Sequence, residues 1–315
     1  MDHHLANKRA LRARPMMFDR DMLHADAVFH VYHPVNDLEG RAAIEAGLLN
    51  PLHAAFPDLE RREDTIAAGS WQGHDWVCTS GHYAGTFANP LLRIPATGGL
   101  AFLRFGEIYR MVDGRIAEAY IHLDFLDLMR QAGCNPLPTS PGTDILVPGP
   151  LNHDGLLLTA QDPAESAASL ALVEAMIGGL LSFDGRTLES MGMERFWRSD
   201  MLWYGPCGIG TTRGLGGFQR FHQRPFLVAF PDRRGAGHKA RIADGQFVVT
   251  TGWPSVRATF SGPWLGQAPS GQPIAMRVTD IWRRDGKLLA ENWVMIDIPD
   301  VMRQAGYDLF AHLPA

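Results

Sequence analysis

The chain has 315 residues, 46% of them hydrophobic and 20% charged, with a formal net charge of -5, a length that ordinarily divides into two globular domains. The acidic balance offers no basic footprint for nucleic acid, and no apolar run reaches the roughly 18 residues that a membrane span requires. Cys78, Cys134 and Cys207 are too few and too unevenly spaced for a disulfide framework or a thiolate metal site, and they read as reduced thiols of a cytoplasmic protein.

The N-terminal stretch carries Lys8, Arg9, Arg12, Arg14 and Arg20 with no apolar segment after them, which argues against a signal peptide and for a frayed arm. Phe29 to Pro34 reads as a strand. Its histidines, His30 and His33, face opposite sides, and no third ligand has recognisable spacing, so no metal is expected. His30 and Tyr32 are candidates to hydrogen-bond a ligand, against the plainer reading of surface side chains. Gly40 opens a helix that stops at Phe56-Pro57-Asp58. In the strand Gly81-His82-Tyr83-Ala84-Gly85, His82 or Tyr83 can reach a ligand oxygen.

Residues 102 to 111 alternate, and Asp113-Gly114 turns the chain into a second alternating run, the pattern of a hairpin. Leu103, Phe105, Glu107 and Tyr109 share one face by the period of two, so a carboxylate stands in an apolar row. Lost hydration raises the pKa of such a group toward the range useful in acid/base chemistry, unless an arginine pairs with it. Ala119, Ile121 and Leu123 face one way on the next strand. A short helix ends in MRQAG, with Asp124 as its cap.

MRQAG returns at 302 − 129 = 173 residues further on, closing AMRVTDIWRRDGKLLAENWVMIDIPDVMRQAG as it closes FLRFGEIYRMVDGRIAEAYIHLDFLDLMRQAG. Phe230-Pro231-Asp232 and Gly214 repeat the helix stop and start, and Trp253 stands six before Thr259 as Trp76 stands six before His82. The chain is thus an internal duplication, with copies at 16–138 and 166–315 and a proline-rich linker at 139–165 that is apolar enough to lie on a domain surface. Asp162-Pro163-Ala164-Glu165 starts a helix to about Leu181, with Leu170, Val173, Met176, Ile177 and Leu180 on one face. The glycine run before Gly214 lacks the Lys-Ser/Thr end of a phosphate loop and reads as a connection.

In the second copy Met276, Val278, Asp280 and Trp282 form the apolar row with one acid, and Asn292, Val294 and Ile296 face the same way on the neighbouring strand. Arg257 is placed to hold an anion or Asp280. Six of the eight tryptophans (Trp197, Trp203, Trp253, Trp264, Trp282, Trp293) fall in this copy, which suggests that it holds the larger aromatic-lined cavity. Each copy is helices first, then an antiparallel sheet, then a short helix, an α+β domain whose helices cover a curved sheet.

The segments from Pro95-Ala96-Thr97-Gly98 to Gly133 and from Pro269-Ser270-Gly271 to Gly306 resemble the SnoaL-like polyketide cyclases of the nuclear transport factor 2-like superfamily. The resemblance implies two tandem cone-shaped domains of the cystatin-like type, each with a pocket between helices and sheet. In that family an aspartate directly after the [YW] position is the acid/base of an intramolecular aldol closure; Ile121 and Val294 stand there in this chain. The family's second residue, a histidine on the preceding strand, aligns with Glu107 and Asp280. Domains of the superfamily often pair through the open sheet face; a tandem chain could satisfy that pairing internally as a pseudo-dimer, and Tyr120 and Trp293, if exposed on the outer sheet face, would favour association of whole chains into a homo-oligomer.

These readings converge on a cofactor-independent enzyme that moves protons on a hydrophobic, aromatic or polyketide-like molecule: a cyclase, lyase, isomerase or dehydratase. Asp280 or Glu107 would supply the acid/base group, with Arg257, His82 or a tyrosine holding the oxyanion. Tyr83, Tyr109, Trp282, Asn292, His30 and Tyr32 are the candidate ligand contacts. No cofactor, metal, nucleic acid or membrane partner is implied. The alternative is a small-molecule-binding protein of the same fold with no turnover.

Overall fold

Two tight turns organise both halves of the chain. β5 (Leu100–Val112) returns as β6 (Arg115–Leu123) through Asp113 and Gly114, both with positive φ, as a two-residue hairpin loop of this hand requires. Pro273–Asp285 returns as Leu288–Ile296 through Gly286 and Lys287. The computed structural model describes residues 3–13 and 20–313 and divides into two compact units.

The first unit takes in residues 1–136, 148–160 and 308–315. α1 (His3–Arg12) packs on β3 (Glu60–Trp71) and β4 (His74–Thr86), so the basic segment is a docked helix rather than a frayed arm, and its Lys8 is only 2% exposed. Arg14 and the side chain of Arg20 lie outside the described residues. β1 (Leu23–Val31) and β2 (Asp37–Glu39) complete a six-stranded sheet in the order β2-β1-β6-β5-β4-β3, with β1 parallel to β6 and the other pairs antiparallel. α2 (Gly40–Ile44) and α3 (Asn50–Ala55) are joined by a π-helical turn, Glu45–Leu49. They bury Ile44, Leu48 and Leu52, while the sheet buries Phe29, Val31, Phe105 and Ile121.

α4 (Phe125–Gln131) closes the repeat, and the Asp124 carboxylate accepts a hydrogen bond from the Asp127 N–H as its N-cap. Such a cap contributes about 1 kcal/mol.

The second unit, residues 137–147 and 161–307, repeats the plan. α5 (Pro163–Leu180) begins where the sequence places it, with Asp162 accepting from the Ala164 N–H. β7 (Trp197–Tyr204) and β8 (Thr211–Arg213) lead to α6 (Gly214–Phe218), a second π turn at Gln219–Gln223, and α7 (Arg224–Ala229). β9 (Arg234–Gly235), β10 (Ala240–Asp244), β11 (Phe247–Thr259), β12 (Pro273–Asp285) and β13 (Leu288–Ile296) follow, and α8 (Ile298–Gln304) ends the copy with Asp297 as cap. The sheet order is β10-β11-β12-β13-β7-β8, with β9 added along β11.

The proline-rich connector divides between the units. Its first part bonds within the second unit, where the Gly142 N–H donates to the Ile209 carbonyl at 2.8 Å. Residues 148–160 belong to the first, where the Ile66 N–H donates to the Gly155 carbonyl, also at 2.8 Å.

Cross-strand pairs give the true register of the repeat. Thr79 faces Glu107 as Thr250 faces Asp280, and Gly81 faces Phe105 as Gly252 faces Val278. Beyond Gly252 the offset changes from 252 − 81 = 171 to 256 − 83 = 173, a two-residue bulge that contains Trp253. Thr259 therefore corresponds to Thr86, which the matching bonds to Asp232 and Asp58 confirm, and not to His82.

Candidate active site

The acid of the first copy is enclosed by partners. Glu107 is 0% exposed on β5, and the Arg61 guanidinium of β3 stands 2.7 Å from its Oε2. Tyr83 donates to Oε1 at 2.5 Å, Tyr109 donates to Oε2, and Thr79 donates to Oε2 at 3.4 Å. Arg61 also donates to the Tyr83 hydroxyl at 2.9 Å and lies 3.2 Å from Glu63. Burial and the neighbouring carboxylate push both phenols well above their ordinary pKa, and the Glu107 charge holds Arg61 firmly protonated against its burial. Every oxygen of this carboxylate is occupied, so Tyr83 and Tyr109 are its anchors and leave it little freedom to take a proton from a ligand.

The second copy keeps the acid and loses the anchors. Arg61 is cross-strand from Tyr83, and at the matching pair Gly235 faces Val256; Tyr109 is replaced by Trp282. Asp280 accepts a 3.3 Å hydrogen bond from the Asn292 amide and forms no ion pair among the described residues. A cavity of about 650 Å³ opens in front of it, lined by Met276, Val278, Asp280 and Trp282 on β12, Asn292, Val294 and Ile296 on β13, and the π turn with α7. Alternation along these two strands was fully legible in the sequence. Burial drives the Asp280 carboxyl up to about 7, against the modest lowering by the Asn292 hydrogen bond.

His222 is a lining residue that sequence reading missed. It stands on the π turn, where 222 − 48 = 174 aligns it with the apolar Leu48 by the same offset as 230 − 56 = 174 for the phenylalanine stop. The imidazole stacks on Trp203 with centroids 4.3 Å apart, its Nδ1 has no hydrogen-bond partner, and burial lowers its pKa to about 3. It is a neutral imidazole at physiological pH. The only sequence signal was the inserted residue of the turn, which rotates the helical face by one position.

The other candidates lie elsewhere. His82 faces Arg104 across the strand pair, on the opposite side of the sheet from Glu107, 3.7 Å from Asp64. Arg257 neighbours the cavity-lining Val256 and therefore points away; it is exposed and holds neither Asp280 nor the cavity. His30 sits 2.7 Å from Asp37 and stacks on Tyr120, while Tyr32 packs edge-on against His122, so both lie on the face away from Glu107. Tyr120 and Trp293 are buried, which removes the exposed aromatic surface expected to favour association. Among the described residues, His3, His4 and Asp75 converge as metal-type side chains, on α1 and β4 and apart from the cavity lining. No described helix is long and apolar enough to cross a membrane.

Asp280 and His222 oppose one another in their effect on stability. Asp280 has a folded value near 7 against 3.8, so its contribution is greatest at acid pH and is lost as pH rises through 7. His222 has a folded value near 3 against 6.5, so the native state loses stability as pH falls below 6.5. Contact with the cavity trims both effects. Relative to the wild type, His222→Gln should favour pH 5 over pH 7 and Asp280→Asn should favour pH 7 over pH 5, with His238, whose pKa burial also lowers to about 4, contributing alike to both variants. Urea titrations followed by tryptophan fluorescence check this, and parallel responses of the two variants would contradict the assignment.

Comparison with known proteins follows the same division into halves. The model of the SnoaL-like polyketide cyclase family matches residues 6–132 and 186–305. Among solved structures, AclR of Streptomyces galilaeus is 22% identical over 45% of this chain and 97% of its own, with a TM-score of 0.37. A SnoaL-like protein of Jannaschia sp. CCS1 is 17% identical over 47% and 96%, with a TM-score of 0.39. IdmH of Streptomyces antibioticus is 20% identical over 43% and 98%, with a TM-score of 0.34. No curated protein matches the chain. With both copies matched, the chain belongs to the SnoaL-like polyketide cyclase family, as a tandem pair of α+β domains.

Proposed function

We propose that the protein is a cofactor-independent acid/base enzyme acting on a hydrophobic aromatic or polyketide-like carbonyl compound, with its working site in the second copy. The observation that carries this reading is Asp280: a carboxylate facing an apolar-lined cavity, without a cation, and with a pKa near 7. The family places its acid/base aspartate at the position of Val294. Asp280 is the cross-strand partner of Val294, so the acid has moved one strand sideways while staying on the same face.

In the proposed reaction the Asp280 carboxylate takes a proton from the carbon next to a carbonyl, and the electron pair moves to the carbonyl oxygen. The neutral His222 ring donates a hydrogen bond to that enolate, while the Asn292 amide, with its two N–H groups on Asp280 and the Ile281 carbonyl, holds the base in place. In a closure step the enolate carbon then forms a bond to a second carbonyl of the same molecule, and the proton held by Asp280 passes to the new alkoxide.

Deuterium incorporation from D₂O into aromatic β-diketones, followed by NMR, tests the first step directly. Exchange faster than in buffer is expected. A second reading, a binding protein without turnover, has in its favour that Ile121 and Val294 both replace the family's aspartate. It predicts ligand binding with no exchange.

A further inference from the structure

The cavity of the second unit has two chemically unlike regions. Asp280 and Asn292 lie among the aromatic and aliphatic side chains of the sheet, whereas the segment after α7 brings Arg233, Arg234 and Arg241 to the lining. Three arginines thus stand against a single acid. Arg241 is already engaged, 2.7 Å from the Glu174 carboxylate and 3.2 Å from His238 Nδ1. Arg234 is exposed.

Arg233 differs from both. It is half-buried, its guanidinium lies 5.3 Å over the Phe183 ring, and it makes no side-chain hydrogen bond or ion pair among the described residues. Burial draws its pKa down, yet a guanidinium stays charged. A partly desolvated cation without a counter-charge is costly, and an anion arriving with a ligand would offset that cost. One free planar fork matches one carboxylate through two parallel N–H···O bonds.

We propose that the cavity takes an aromatic carboxylate, with the ligand's carboxylate on Arg233 and its ring system against Trp203 and Trp282. This rests on the same cavity as the acid/base reading, but it concerns binding alone. The cavity volume suits a fused-ring acid of that kind.

The test is calorimetric titration of the full chain with naphthalene-2-carboxylate and with its methyl ester, at low and high salt. The wild type should bind the carboxylate at least about tenfold more tightly than the ester, and added salt should weaken only the former. Arg233→Gln should abolish the preference while leaving ester affinity within about twofold, and Arg233→Lys should retain part of it. Asp280→Asn should keep the preference even if it stops all turnover, which separates this proposal from the catalytic one. Equal binding of acid and ester, equal weakening of both by Arg233→Gln, or binding of neither at millimolar concentration would each overturn it. Should Arg233→Gln fail to fold, the Lys variant and the salt dependence separate the same outcomes.

Discussion

Asp280→Asn should abolish deuterium exchange into a β-diketone while changing its affinity by less than about tenfold, roughly 1.4 kcal/mol. The substitution is nearly isosteric and removes only the ability to accept a proton. Asn292, which donates to Asp280 at 3.3 Å, keeps an acceptor in the variant's amide oxygen, so the cavity wall should hold its shape. Glu107→Gln provides the control. If Glu107 is an anchored acid, as its four partners imply, that variant should retain exchange per folded molecule. Loss of exchange in Glu107→Gln with retention in Asp280→Asn would move the site to the first copy. The wild-type rate should also rise with pH through a midpoint near 7, since the base works ionised, and a midpoint near 4 would mean that another carboxylate acts.

What the sequence reveals of this protein depends on how local each signal is. The turn at Asp113-Gly114, the caps Asp124, Asp162 and Asp297, and the row from Met276 to Trp282 are set by neighbours in sequence, and all of them are where periodicity and turn chemistry place them, whereas the second copy's turn falls at Gly286-Lys287, one residue past its Asp-Gly pair. α1 escaped notice because HHLANKRALR puts Lys8 on the face that docks, where an apolar side chain would have marked a helix. Arg61 escaped because its meeting with Glu107 depends on the pairing of two strands with a third, a non-local register that no alternation discloses. The same holds for Arg257. The bulge after Gly252 fixes which residues of β11 face the cavity, and that bulge comes from a two-residue insertion that single-copy reading does not reveal. Thus the carboxylate row was legible in both copies, but whether an arginine satisfies it was not.

That difference sets the last expectation. Arg61→Met should destabilise the first unit by about 3–5 kcal/mol, because it leaves the fully buried Glu107 without a cation in a site that hydroxyls alone cannot neutralise. Glu63, which shares Arg61, loses its partner as well. Hydrogen exchange of the β4 and β5 amides should report the loss. Adding Glu107→Leu to Arg61→Met should restore only part of the stability, since the buried Tyr83 hydroxyl would then lose its carboxylate acceptor, at about 1–3 kcal/mol. The resulting coupling between the two positions should be about 2 kcal/mol or more. In the second unit the opposite behaviour is expected from the equivalent residue: above about pH 7, Asp280→Asn removes an ionised carboxylate that nothing pairs, and stability should rise. One ancestral acid would then serve in one copy as the centre of a structural ion-pair network and in the other as a group whose destabilising charge is kept for chemistry. A neutral or stabilising Arg61→Met would break that contrast, and with it the reason for assigning the reaction to the second copy.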